Sequence, residues 1–372
     1  MGITAGAGTV VTATAKAEGG GGAAAYGAVD GITVLAANTG RLRWSRRLAL
    51  DGQSVPAMVE GQMVVVTEAD GTVIGLLATT GRVEWTDGHP KGCIVPPQDD
   101  PGLSPAVTLV DVAPEAGGSI AVDYQCRSPS GAGSAVLAGI NPDTGAAEWR
   151  WVEPPGWSVT YQSPGASASG VLGVLVSGPR SVAPVRSVYR WMSPDEGTED
   201  AAAIDETTGR PLWQVDGVPP SAGVYGGAGQ LCVASLFGVD CRNARTGAED
   251  WQSRPSAAPA HGGTAGASDG VTASGSLLYR VIPTDKATAI PDGSTTYRDA
   301  PGAFHLQAND IVTGRVAVDR AMPAWYGGPD GVVASVDSPP GIVGAGSGLV
   351  LVCPQLDETN IVEAFHSPAS EP

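Results

Sequence analysis

Lysine is nearly missing from this chain: three lysines stand beside eighteen arginines in 372 residues, and the 21 basic residues face 38 acidic ones for a net charge of -17. So acidic a chain repels phosphate backbones, which argues against nucleic acid as a partner. No run of 18 apolar residues occurs, so nothing in the sequence reads as a membrane-spanning helix. Histidine is scarce too. His89, His261, His305 and His366 lie far apart, with no H-x-H or H-x-x-x-H among them. The five cysteines, Cys93, Cys126, Cys232, Cys241 and Cys353, form no C-x-x-C, so no metal centre is expected. A triad or a carboxylate pair assembled from distant positions would leave no local trace in the sequence. The acidic runs Asp195–Asp200 and Gln98-Asp99-Asp100 lack calcium-loop spacing and read as solvated charge. No segment keeps a 3.6-residue period over three turns, which excludes a helical architecture.

Glycine and proline are abundant instead, 53 and 30 residues, without a G-X-Y period. That share approaches the range of disordered chains, but a hydrophobic content of 42% is too high for disorder. The dominant signal is repetition. Thr-Gly followed by three residues and tryptophan occurs five times, at Thr39-Gly40 with Trp44, Thr80-Gly81 with Trp85, Thr144-Gly145 with Trp149, Thr208-Gly209 with Trp213 and Thr246-Gly247 with Trp251. A sixth copy, Thr313-Gly314, has Val318 in place of tryptophan. Three residues before the threonine stand Asn141, Asp205, Asn243 and Asp310 in four copies, but Ala36 and Leu77 in the first two. A short polar side chain there can accept backbone N–H groups of a turn, and glycine supplies a positive φ. A short apolar segment precedes each turn and another follows it. A further apolar run lies upstream, as at Met63–Thr67, Ile120–Tyr124, Val171–Ser177, Leu231–Ala234 and Leu277–Ile282.

The repeating unit is therefore a four-stranded antiparallel sheet, with strands A to D and the T-G turn between C and D. One such sheet cannot bury both its faces alone, whereas sheets stacked face to face around an axis can. The fold expected is all-β, a β-propeller of four-stranded antiparallel blades in a single domain over residues 1–372. The turn glycines are spaced by 41, 64, 64, 38 and 67 residues. The short intervals correspond to a bare blade and the long ones to a blade plus an insertion. With a last blade built from Val332–Val336, Leu349–Cys353 and Ile361–Phe365, and without its own T-G-x-x-x-W strand, the total is seven; eight is the alternative if an insertion hides a decayed blade.

The pattern [DN]-x-x-T-G-x-x-x-W resembles the PQQ-type propeller repeat, found in quinoprotein dehydrogenases and in outer-membrane-assembly scaffold lipoproteins. The resemblance covers about residues 25–320 well and the two ends loosely. It implies that Trp44, Trp85, Trp149, Trp213 and Trp251 are structural, each docked against the adjacent sheet and burying on the order of 200 Å², and that the contact at Val318 is looser. It does not imply the quinone. Quinone-binding members carry two adjacent cysteines above the cofactor and a Glu, Asn and Asp set around calcium. No two cysteines are adjacent here and no such set can be placed by motif. The chain sides with the scaffold members, for which no cofactor is expected.

If each sheet runs A to D, the B–C and D–A connections leave from the end opposite the T-G turn. The insertions near 86–105, 127–134, 178–200 and 283–302 all fall in these two kinds, so function is expected on that end. The insertion 178–200 supplies the candidate binding residues Arg186, Tyr189, Arg190 and Trp191, a composition favoured at binding hot spots; the plainer reading is an extended hairpin packing its aromatics on the blade. Trp151 and Trp157 either line the same end or fill gaps beneath it, and Trp325-Tyr326 read as packing between blades. Cys232 and Cys241 flank an apolar hairpin, one on each strand, and Cys93 and Cys126 fall in or beside two of the insertions. Two disulfides from these four, with Cys353 free, would place the protein in an oxidising compartment; five buried thiols in a cytosolic protein is the alternative. The N-terminus lacks the basic and apolar regions of a signal peptide, so a secretion signal or anchor is expected upstream of Met1. The resulting expectation is a monomeric extracellular or cell-surface binding scaffold for a protein or polymer, without catalysis. The alternatives are a quinone-dependent or other propeller oxidoreductase and a glycan-active propeller enzyme.

Overall fold

The structure is a computed structural model. It describes residues 3–6, 9–15, 29–36, 39–50, 57–59, 62–68, 70–87, 107–110, 119–127, 133–154, 156–159, 166–178, 184–185, 199–218, 222–235, 238–253, 271–274, 276–283, 296–298, 304–322, 333–335, 341–346, 349–353 and 363–366. All the regular structure among them is β-strand, and no helix is long and apolar enough to cross a membrane. The chain divides into two compact units. The first comprises Met1–Leu172, Val176–Ser181 and Ile204–Pro211, the second Gly173–Leu175, Val182–Ala203 and Leu212–Pro372.

The first unit holds three complete four-stranded antiparallel sheets, each ordered by sequence. The first sheet is β1 (Ile3–Gly6), β2 (Thr9–Ala15), β3 (Val29–Ala36) and β4 (Leu42–Leu50). The second is β5 (Ala57–Val59), β6 (Met63–Thr67), β7 (Val73–Leu77) and β8 (Val83–Asp87). The third is β9 (Val107–Leu109), β10 (Ile120–Arg127), β11 (Gly133–Ile140) and β12 (Ala147–Val152). The strands β13 (Ser158–Val159) and β14 (Ala166–Ala168) lie in the first unit and β16 (Pro184–Val185) in the second, whereas β15 (Val171–Ser177), β17 (Glu199–Asp205) and β18 (Arg210–Val218) have residues in both. The second unit holds two further four-stranded sheets. One is β19 (Gly223–Gly227), β20 (Gln230–Ser235), β21 (Gly238–Asn243) and β22 (Glu249–Ser253). The other is β23 (Val271–Ser274), β24 (Leu277–Pro283), β26 (Phe304–Asp310) and β27 (Val316–Ala321). A two-stranded ribbon pairs β25 (Thr296–Arg298) with β28 (Val333–Ser335). The three-stranded sheet is β29 (Gly341–Gly346), β30 (Leu349–Cys353) and β31 (Glu363–His366).

The second sheet shows why the sequence takes this form. Its strand β6 is an unbroken apolar run because both its faces are covered. Val64 and Val66 point into a cluster with Val11, Ile32 and Val34 of the first sheet, whereas Met63 and Val65 join Ile120, Val122 and Tyr124 of the third. Period-two alternation thus feeds two separate cores, and the sheets pack face to face. The last strand of each repeat reads differently. In β8 only Trp85 is buried, the rest being exposed or partly so, as fits an outer edge strand.

Three features add to or differ from the sequence reading. The N-terminal residues 3–15, where the resemblance is loose, supply the first two strands of a complete sheet. Val333–Ser335 does not open the last sheet; it pairs with Thr296–Arg298, and Gly341–Gly346 takes the place beside β30. Glycine at three of those six positions hid the strand from an apolar-run search. Finally, the insertions are partly strand. Pro184–Val185 runs parallel to Gln214–Val215 on β18, and Thr296–Arg298 lies in the ribbon.

Candidate functional site

Each T-G turn closes with the glycine N–H donating to the carbonyl four residues back, from Gly40 to Ala36 at 2.7 Å and from Gly145 to Asn141 at 2.9 Å, with Gly81, Gly209, Gly247 and Gly314 alike. All six glycines have φ between 62° and 71°. Where the sequence offers Asn or Asp, its Oδ1 accepts the turn's N–H groups. Asn141 takes those of Asp143 and Thr144, both at 3.0 Å, and Asp310 takes that of Thr313 at 2.7 Å and its hydroxyl at 2.8 Å. These bonds hold the Asp310 carboxyl below the ordinary range, the Thr313 hydroxyl first among them. The threonine has its own task. Its Oγ1 accepts the N–H two residues on in every copy, as from Ala146 to Thr144 at 3.3 Å.

A second regularity is absent from the motif as first read. In five hairpins the register between the third and fourth strands shifts just past the tryptophan position, at Val34/Leu35, Gly75/Leu76, Gly139/Ile140, Cys241/Arg242 and Ala308/Asn309. The unpaired residue is the one before it: Arg43, Glu84, Glu148, Asp250 and Ala317. A bulge there re-aims the following side chain.

The re-aimed indoles reach the next turn. A Cβ on Gly81 would fall 2.7 Å from the Trp44 ring, on Gly145 2.6 Å from that of Trp85, on Gly209 3.0 Å from that of Trp149, on Gly247 2.8 Å from that of Trp213 and on Gly314 2.6 Å from that of Trp251. Four indole N–H groups also donate to the carbonyl that follows the Asx position: Trp44 to Ala78 at 2.9 Å, Trp85 to Pro142 at 2.7 Å, Trp213 to Ala244 at 2.7 Å and Trp251 to Ile311 at 2.5 Å. The turn glycine therefore answers two demands, a left-handed backbone and room for the preceding repeat's indole. Trp149 breaks the series, its buried Nε1 having no partner. Beside it Trp151 meets Trp157 edge to face, centroids 4.7 Å apart, and Trp157 is buried, so this pair fills space. Where tryptophan gives way to Val318, the side chain is only partly buried.

The T-G turns are thus short and self-bonded. Most of the long connections leave from the opposite ends, 16–28 between β2 and β3, 88–106 between β8 and β9, 186–198 before β17 and 284–295 before β25, with 128–132 between β10 and β11 there too; the connection 110–119 between β9 and β10 leaves from the T-G end. The residues Arg186, Tyr189, Arg190 and Trp191 lie outside the described residues, as do Cys93, His89, His261, Trp325 and Tyr326. Their anchor is visible, since Val185 is tied to Val215. Of the acidic run, Asp200 accepts from Gln214 Nε2 at 3.1 Å and from the Gly217 N–H at 3.3 Å. No cluster of three metal-ligating side chains occurs among the described residues. Cys232 and Cys241 are directly opposed on β20 and β21 and form a buried disulfide with Cα atoms 4.0 Å apart. Cys126 is disulfide-bonded as well, to a cysteine whose side chain lies outside the described residues.

Residues 4–154, which make up the three sheets of the first unit, match the family described as outer membrane protein assembly factor BamB. These are PQQ-like propeller repeats. The fold is all-β, of antiparallel blades of that repeat, and the T-G turn with its tryptophan recurs beyond the matched segment as far as Trp251. Among solved structures, BamB from Moraxella catarrhalis is 13% identical over 98% of this chain and 85% of its own, with a TM-score of 0.44. Quinohemoprotein alcohol dehydrogenase from Comamonas testosteroni is 13% identical over 95% of this chain and 63% of its own, with a TM-score of 0.42. A europium-containing methanol dehydrogenase is 12% identical over 98% and 77%, with a TM-score of 0.46. No curated protein matches the sequence.

Proposed function

We propose that this chain is a non-catalytic binding scaffold that holds a protein or polymer partner at the ends of its sheets opposite the T-G turns. The observation that carries this reading is the unequal use of the two ends. One end is consumed by turns that satisfy their own hydrogen bonds and seat a neighbouring indole, whereas the other carries most of the long connections, where recognition residues concentrate. The match of residues 4–154 to an assembly-factor family supports a scaffold role. The buried Cys232–Cys241 disulfide supports an oxidising, extracytoplasmic setting. In this reading the PQQ-like blades close as a seven-bladed, monomeric propeller forming one domain, and Arg186, Tyr189, Arg190 and Trp191 contribute to the partner surface.

Photo-crosslinking residues placed singly at Tyr189, Trp191 and position 130, and for comparison at Thr39 and Thr246, test the reading in cells that secrete the chain. Adducts confined to the first group support it. Adducts at the turns alone, or none at either end, refute it. The oxidoreductase reading predicts instead that quinone plus calcium raises the thermal midpoint and produces a bound-quinone absorbance; no such response is expected, since no cysteine pair adjoins in the sequence.

A further inference from the structure

One face of the third sheet holds polar atoms that the interlocking of turns and indoles does not use. By register, Asp123, Leu137 and Trp151 form one row across β10, β11 and β12. Two residues on, at the end bearing the long connections, Gln125 and Ala135 form the next row, continued by Glu153, whose N–H donates to Ala135. Asp123 and Glu153 are 4% and 5% exposed. Asp123 Oδ2 accepts from Gln125 Nε2 at 2.7 Å. Asp123 Oδ1 and both carboxyl oxygens of Glu153 find no donor, and the two carboxyl groups lie within hydrogen-bonding reach of each other.

Two ionised carboxylates in contact, buried and sharing a single amide donor, would carry two charges with almost nothing to offset them. One proton between them changes the chemistry: a carboxylic O–H donates to its partner, and a single negative charge remains, bonded to Gln125. We infer that Asp123 and Glu153 form a proton-binding site that holds one shared proton at neutral pH and releases it under alkaline conditions, loosening the end of this sheet. Burial, and then the charge of Asp123, push the Glu153 carboxyl up to about 10; burial also raises Asp123.

Among the described side chains of this sheet, those on the face of the pair are uncharged: Gln125 on its own strand, Leu137 and Ala135 on β11, and Trp151 on β12. Glu206, on the turn that receives Trp149, is bonded to Ser167. Arg127 ends β10 beyond Gln125, its side chain outside the described residues. A group raised in the folded state contributes its full stability below the unfolded value near 4.5 and loses it as the pH rises through about 10. Loss of one bound proton costs up to tenfold in the folding equilibrium per pH unit over that window.

Infrared difference spectroscopy between the wild-type chain and Glu153→Gln, with thermal unfolding of both from pH 5 to pH 10, tests the site. The amide keeps a donor toward Asp123 and cannot be deprotonated. The expected result is a carboxylic-acid C=O band at pH 7.5 in the wild type that is missing in the variant, together with an alkaline loss of stability that the variant does not show. Asp123→Asn guards against a folding defect peculiar to the first variant, and it too should flatten the alkaline limb. A wild type with no protonated carboxyl band at pH 7.5, or equal alkaline slopes in all three proteins, overturns the proposal.

Discussion

Alanine at Gly40 and alanine at Gly247 test the turn in two settings that differ in one respect. Both glycines sit in the left-handed region, at φ 62° and 69°. A Cβ at Gly40 meets nothing within 4 Å, whereas a Cβ at Gly247 would lie 2.8 Å from the Trp213 ring. Left-handed alanine costs about 1–2 kcal/mol, and that is the whole expected effect of Gly40→Ala. Gly247→Ala adds overpacking against an indole that is itself buried and bonded to Ala244, for roughly another 1–3 kcal/mol. Equilibrium denaturation followed by tryptophan fluorescence measures both. The reasoning is refuted if the two variants lose the same stability within about 0.5 kcal/mol.

Three further outcomes follow from the same geometry. Asn141→Ala removes the acceptor for the Asp143 and Thr144 N–H groups and should cost about 0.5–2 kcal/mol by denaturation, while Leu77→Ala, whose side chain accepts nothing in its turn, leaves the turn bonds intact as judged by amide exchange. Peptide mapping without reduction should show Cys232 joined to Cys241 and Cys126 joined to Cys93; a Cys126–Cys353 peptide would disprove the second bond. The Asp310 carboxyl is held below its ordinary value by Thr313, so its contribution is present above the unfolded value of 3.8 and is lost as the pH falls through the lower, folded one. Asp310→Asn should accordingly flatten part of the acid limb of the unfolding profile, and an unchanged limb would count against this role.

Much of the fold was legible because the motif carries its physics in residue types that few other settings require. Threonine, a glycine with positive φ and a tryptophan at fixed spacing announce a turn and an aromatic contact, and Asn141, Asp205, Asn243 and Asp310 announce how the turn is bonded. The bulge was not legible, because Arg43 and Ala317 stand where Glu84, Glu148 and Asp250 do, so no one residue type marks it; only backbone register exposes it. Strands rich in glycine and alanine, such as Gly341–Gly346 and Thr9–Ala15, lack the large apolar side chains that periodicity reads. The Asp123–Glu153 contact was invisible for a different reason. The two residues stand thirty positions apart on strands that are not neighbours, and a lone buried acid has no sequence signature.

The central claim is that each turn glycine and the tryptophan of the preceding repeat form one interlocking contact. A double-mutant cycle between Trp85 and Gly145 measures it most directly, since Gly145 has φ 71° and a Cβ there would fall 2.6 Å from the Trp85 ring. Trp85→Ala alone should cost about 3–5 kcal/mol. With the indole gone, Gly145→Ala should cost only the backbone penalty, less than in the wild-type background by at least about 1 kcal/mol. Additive losses, the same for Gly145→Ala with and without Trp85, would contradict the account.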